Sequence, residues 1–130
     1  MKTPTRHEVL AQARNILKSQ RFARITSGKE LFRYLVRETL KDAQRSPRIK
    51  GVTIGIEVYG KPASFDPKKD TTVKVAVRDL RKALLEYHKS EGRDDRVVID
   101  IPRGSNVPQF RFSKTALSLE LDNRDLVRVS

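Results

Sequence analysis

TTVKVAVRDLRKALLEYHKSEG, residues 71–92, followed by VVIDIPRGSNVPQF, residues 97–110, decides how this chain is read. In the first stretch Val73, Ala76, Val77, Leu80, Ala83, Leu84 and Tyr87 recur at helical spacing and make one apolar stripe. With Val73 at zero and about 100° per residue, Thr71, Val75, Arg78 and Lys82 point away from the stripe, and Lys74 and Leu85 lie at its flanks. The pattern predicts a helix over 71–89. Beyond it, Val97 to Ile101 alternates as a strand, Arg103-Gly104-Ser105-Asn106 turns, and Val107 to Phe112 returns, with Pro108 suited to an edge. A helix with its core on one side and a cationic rail with a small apolar spot on the other can fill a DNA major groove. A solvated amphipathic helix with ordinary surface cations shows the same pattern. The helix–hairpin order and the charge favour DNA.

The chain has 130 residues, enough for one compact domain with a modest core. Lysine and arginine number 28 against 16 acids, a net charge of +12. Such an excess favours a polyanion, nucleic acid before membrane. Residues 1–50 hold 13 bases and 4 acids, whereas residues 51–100 hold 10 and 9, so the first helices supply much of the positive potential. There is no cysteine, which excludes disulfides and cysteine-based zinc sites and fits a reducing cytosol. No apolar run approaches membrane-spanning length, and MKTPTRHEVLAQ lacks the apolar centre of a signal peptide. A cytoplasmic, nucleoid-associated protein with no membrane partner is expected.

Ahead of residue 71 the reading is helical. Thr5 and Glu8 have capping-box spacing, and Val9, Leu10, Ala13, Ile16 and Leu17 share a face, predicting a helix over 6–20. Ser27 and Glu30 repeat the spacing before Leu31, Phe32, Leu35, Val36 and Leu40, predicting a helix over 28–43. KGVTIGIEVYG, residues 50–60, alternates like a strand but also allows a short helix with Ile54 and Val58 one turn apart. Its place before 71–89 selects a helix over 51–59. KPASFDPKKD is loop, Asp70 is a natural N-cap, and Gly92 is the expected left-handed residue after the long helix. In the tail, residues 113–130, Leu117, Leu119 and Leu121 alternate and three bases offset three acids. An extra hairpin or a sheet-adding strand is expected there, ahead of a short amphipathic helix.

Four blocks, LFRYLVRETL, GVTIGIEVYGKPASFDPKKD, VKVAVRDLRKALLEYHKSEGRDD and VVIDIPRGSNVPQF, match in order and spacing a known domain. From about residue 12 to residue 112 the chain resembles a bacterial winged helix-turn-helix domain. That domain often sits at the N-terminus of larger proteins with TolB-like, tetratricopeptide or adenylate-cyclase regions. It is more loosely similar to the effector domain of OmpR-type response regulators. The resemblance implies an α+β winged helix-turn-helix over 1–112, with helix 71–89 in the major groove and hairpin 97–112 as wing. It aligns Lys74, Val75, Arg78 and Lys82 with groove-facing positions and Arg103 to Asn106, Ser105 included, with the wing tip. Two departures stand out: neither a receiver nor an enzymatic or repeat region is read in the chain, and two basic helices replace the N-terminal sheet of OmpR-type effectors. The signal input of either family is therefore not carried over.

Arg78 is the best base reader, because arginine can donate two parallel hydrogen bonds to guanine; a phosphate contact or a pair with an acid competes. Val75 fits a thymine methyl group or a half-buried flank. Lys74 and Lys82 fit phosphates, which set register without reading sequence. Thr71 and Thr72 complete the first turn, and Lys68 and Lys69 precede it where helix amides favour phosphate. Arg103 suits a narrow minor groove or a solvated turn. Arg21, Arg24 and Lys29 suit backbone contacts or a solvated face. His7 and His88 lack metal-ligand spacing, and no nucleophile elbow or phosphate-cradling glycine loop is present. No enzyme, cofactor or metal site is expected. The expected activity is sequence-specific double-stranded DNA binding in transcription regulation, through homodimers or arrays assembled by the tail and contact with RNA polymerase or a regulatory protein. A protein–protein adaptor, or an architectural or recombination-directionality factor of a mobile element, is the alternative.

Overall fold

The apolar stripe of residues 73–87 is the spine of the structure. In the computed structural model, which describes residues 3–25, 27–41 and 47–119, that segment is helix α5 (Thr72–Lys89), with Val73, Val77, Leu80, Ala83, Leu84 and Tyr87 buried. Ahead of it come α1 (Arg6–Leu17), α2 (Gln20–Ala23), α3 (Gly28–Lys41) and α4 (Gly51–Tyr59); after it come β1 (Val97–Asp100) and β2 (Gln109–Phe112). Residues 114–119 are helical and form α6. The fold is α+β, helices around one antiparallel hairpin whose register pairs Val97 with Phe112 and Asp100 with Gln109.

Packing follows the sequence periodicity. α3 lays Leu31, Phe32 and Leu35 against α5, and α1 and α5 both cover β1. Phe22 of α2 is fully buried and tilts against Phe32, ring centroids 5.7 Å apart. Burying such a side chain contributes about 1.5–3 kcal/mol relative to exposure, so α2, four residues long, is held by its phenylalanine rather than by its own hydrogen bonds. α4 packs on both α3 and α5. Its Gly55 admits the Phe65 ring, since a Cβ there would overlap ring carbons. Gly60, at φ 64°, stops it in the left-handed conformation.

The capping box at Thr5 and Glu8 forms as read, with reciprocal bonds of 3.2 and 3.1 Å. The first helix, however, ends at Leu17 rather than 20. Ser19 donates its hydroxyl to the Ile16 carbonyl (2.6 Å) and accepts the Phe22 amide (3.2 Å), ending one helix and starting the next. The third helix begins at 28 as expected, but Glu30 binds Arg33 (3.1 Å). Asp70 does serve the start of α5, one position earlier than a standard N-cap: it accepts from the Thr72 amide (3.0 Å) while Thr71 is the capping residue. Gly92 is not left-handed; among the described residues the positive-φ positions are Gly60 and Gly104. Gly92 is needed instead for space, because its amide donates to the Tyr87 carbonyl (2.8 Å) and a Cβ would enter the Tyr87 ring.

The tail departs most. Leu117 and Leu119 were expected on a strand, yet they lie in α6. Ser113 decides this: its hydroxyl accepts the Ala116 amide (3.0 Å) and its carbonyl accepts the Leu117 amide (3.1 Å), a helix-starting geometry that local alternation cannot override. Leu121 and the second strand of the expected hairpin lie outside the described residues.

Candidate nucleic-acid interface

The exposed side of α5 and the β1–β2 turn enclose one open groove of about 720 Å³. The helix contributes Thr71, Lys74, Val75 and Arg78, and the turn contributes Arg103, Ser105 and Asn106. Seven of the residues expected at an interface are thus brought together by two elements 25 or more positions apart. Val75 is exposed at 38%, an apolar spot between cations.

The turn is a rigid wall. Gly104 sits at φ 77°, a conformation that L side chains rarely adopt. The Ser105 hydroxyl accepts the Val107 amide (3.0 Å), and the Asn106 amide donates to the Ile49 carbonyl (3.0 Å), tying the turn to the residues that lead into α4. The sequence reading missed Arg81. From the flank of α5 it donates through Nε to the Ile101 carbonyl (3.0 Å) and through Nη2 to the Ser105 carbonyl (3.2 Å). One guanidinium thereby fixes the spacing between helix and turn. Its position at the edge of the apolar stripe, next to Leu80, was the available signal. Ser105 and Asn106 accordingly shape the wall with their side chains, and Arg103 is the exposed cation at its tip.

Four expected residues lie outside this groove. Thr72 is half-buried and gives its hydroxyl to Asp70 (2.6 Å). Together with the Lys61 ammonium at 2.9 Å, that bond lowers the Asp70 carboxyl to about 2. Lys68 and Lys69 are exposed in the turn that Asp66 closes ahead of α5. Lys82 faces the other flank, where it lines a hollow of about 320 Å³ with Arg21, Ile25, Ser27 and Gly28. α5 is therefore grooved on both sides of its exposed rail.

Most cations of this face are unpaired, as are Arg14, Lys18 and Arg24 outside it, among the described residues. Lys68, Lys69, Lys74, Lys82 and Arg103 have no acidic partner among the described residues. Arg33, Lys41, Arg93 and Arg111 each meet a carboxylate, at 3.1, 3.0, 3.7 and 3.2 Å. Arg78 meets Asp79 at 3.4 Å, with both side chains about two-thirds exposed. A pair that open adds little, on the order of 0–1 kcal/mol, and leaves the guanidinium free to turn outward.

Behind the groove, His88 accepts the Ile99 amide through Nε2 (3.2 Å), joining α5 to β1. Burial lowers its pKa, against the opposing influence of Asp95 and Asp100. Only the neutral ring accepts that bond. The unfolded chain takes up the proton near the ordinary imidazole value of 6.5, before the folded chain does. Stability is therefore full above that value and falls as pH drops through the lowered folded value. Denaturant midpoints should decline between pH 7.5 and 5.5, and His88→Gln should flatten that decline. An unchanged decline in the variant would remove His88 as its source.

Among the described residues no cluster of histidine, cysteine or acid could hold a metal, and no described helix is long and apolar enough to cross a membrane. No family model, curated protein or solved structure matches the chain.

Proposed function

We propose that the chain binds double-stranded DNA as a winged helix-turn-helix transcription regulator. In this reading α4 and α5 are the helix-turn-helix, α5 lies in the major groove and the β1–β2 turn is the wing. The observation that carries it is the groove: Lys74, Val75 and Arg78 of α5 stand with Arg103 of the turn around one open concavity, and Lys74 and Arg103 have no acidic partner among the described residues. An α-helix with side chains is about as wide as the B-DNA major groove, and the flanking turn brings Arg103 to the adjoining strand or minor groove. Arg78 is the base reader, Val75 meets an apolar base edge, and Lys74, Lys68 and Lys69 hold phosphates. One such module reads few base pairs, so occupancy as a dimer or array is part of the proposal, as is contact with polymerase or a regulatory partner.

Salt titration tests it. Neutralising about 5–8 phosphates implies a log–log slope of affinity on salt of roughly −4 to −7. Arg78→Ala should weaken binding to a selected site by ~1–3 kcal/mol and relax preference at one position. Equal losses on selected and random duplex would make Arg78 a phosphate contact. One observation favours a protein adaptor instead: Leu85, on the same exposed side of α5, is 47% exposed. An adaptor would show no duplex affinity at 150 mM salt.

A further inference from the structure

We infer that the residues flanking the α2–α3 connection form a second phosphate-gripping wall, so that α5 is straddled by two contacts to the two backbones bordering one major groove. The inference rests on the DNA-binding reading above and adds residues that the wing and recognition helix do not include.

The geometry begins with Lys82. It belongs to the hollow between α5 and the α2–α3 connection, whose far side is built by Ile25, Ser27 and Gly28. The turn at 103–106 bounds α5 on one flank and this connection bounds it on the other. A helix inserted into a major groove has a phosphate backbone on each side. Two walls on opposite flanks of the exposed rail match that arrangement, whereas a single wing meets only one.

The second wall is also fixed in place. Glu91 accepts the amides of Gln20 and Arg21 (3.1 and 2.9 Å), and Glu86 pairs with Arg21 at 2.6 Å, which binds α2 to the C-terminal half of α5. Gly28 lets the Ile25 side chain close over it, since a Cβ would stand 2.6 Å from Ile25 Cγ2. These acids are consumed in positioning the wall. The cations beside it are not consumed: Arg24 is exposed, Lys29 is half-buried, and neither meets an acid among the described residues. Lys82 lines the hollow itself, Arg24 and Lys29 adjoin its lining residues Ile25 and Gly28 in the chain, and Ser27 adds an exposed hydroxyl. Asp79 lies in the same hollow, but it is turned to Arg78. The chemistry fits a chain of phosphodiesters approached from the side and carries no base selectivity.

The experiment compares the full chain with the double variant Arg24→Gln/Lys29→Gln on one 20-base-pair duplex across a salt series. Losing two phosphate contacts should reduce the magnitude of the slope by about 2 and lower affinity about 10–30-fold at 0.15 M salt, equally on selected and random sequence. Arg14→Gln/Lys18→Gln removes the same charge from the exposed side of α1 and should change the slope by less than half a unit. Phosphate-ethylation interference should show protections lost on one strand in the first double variant and on the other in Arg103→Gln. An unchanged slope in the first variant, or equal changes in both double variants, overturns the second wall and leaves the DNA reading standing. A parent chain without salt-dependent duplex affinity removes that reading as well, and with it the wall.

Discussion

Lys74→Glu/Arg78→Glu is expected to abolish duplex binding at physiological salt. The two substitutions change the groove by four charge units, at the place where the helix would meet phosphates and bases. At about 0.9 of a slope unit per charge, the electrostatic loss alone is on the order of 10³-fold at 0.15 M salt, before any base contact is counted. Both side chains are exposed on α5 and neither takes part in the core, so the circular dichroism spectrum and unfolding midpoint should stay near those of the parent. The variant adds acids beside Asp79, which makes the local field negative rather than merely weaker. Retention of affinity within tenfold would move the DNA-binding surface away from α5. The reversal Arg14→Glu/Lys18→Glu on α1 is the matching control and should stay within a few-fold.

That surface was legible in the sequence for a simple reason. The stripe of Val73, Val77, Leu80, Leu84 and Tyr87 is continuous over about four turns, so the opposite side is fixed by geometry alone, and the groove residues of α5 follow. The short helix α4 was legible only through its neighbour: taken alone, Val52, Ile54, Ile56 and Val58 fit a strand equally well. Tertiary packing on α3 and α5, with Phe65 seated on Gly55, resolves it. Ser19 and Ser113 were overlooked because a serine inside or after a periodic run is ordinarily a surface residue. Here each hydroxyl meets a helix-starting amide and sets a boundary. Arg81 was passed over because its place at the edge of the stripe marks only a flank residue, while its partners are carbonyls 20 and 24 positions away, which periodicity does not identify. Lys82 was read with Lys74, Val75 and Arg78 as one groove-facing rail because its helical angle lies near the centre of that rail. The elements on either flank decide which groove it enters, and α2 was not anticipated as a separate element.

Asp95→Ala should produce a large loss of stability, about 3 kcal/mol. Read from sequence, Asp94-Asp95 is a pair of loop acids. In the structure Asp95 Oδ2 accepts from the Tyr87 hydroxyl (2.6 Å), from Gln12 Nε2 (2.8 Å) and, at longer range, from Asn15 Nδ2 (3.4 Å). Gln12 is buried and also donates to the Val97 carbonyl (2.9 Å). Asn15 donates to the Tyr87 hydroxyl as well (3.1 Å). One carboxylate thus joins α1, the end of α5 and the entry to β1, three elements far apart in the chain. Burial first, and then the Asp95 contact, raise the Tyr87 hydroxyl well above its ordinary range, so it stays a donor throughout the accessible pH range. Truncating Asp95 removes charge-assisted bonds of about 1.5–3 kcal/mol and leaves the buried Gln12 amide with its Val97 bond alone, which adds about 1 kcal/mol and brings the sum near the stated value. Asp95→Asn keeps an acceptor and should lose about half as much. Asp94→Ala should stay within about 0.5 kcal/mol, because its partner Arg93 lies 3.7 Å away and both are open to solvent. Tyr87→Phe combined with Asp95→Ala should cost clearly less than the sum of the two single changes, since they share one bond. Urea unfolding of the five variants, Tyr87→Phe alone included, measures all of this. If Asp95→Ala unfolds within 0.5 kcal/mol of the parent, the hairpin is held to α5 by apolar packing and the His88 and Arg81 bonds alone, and the network is incidental to the fold.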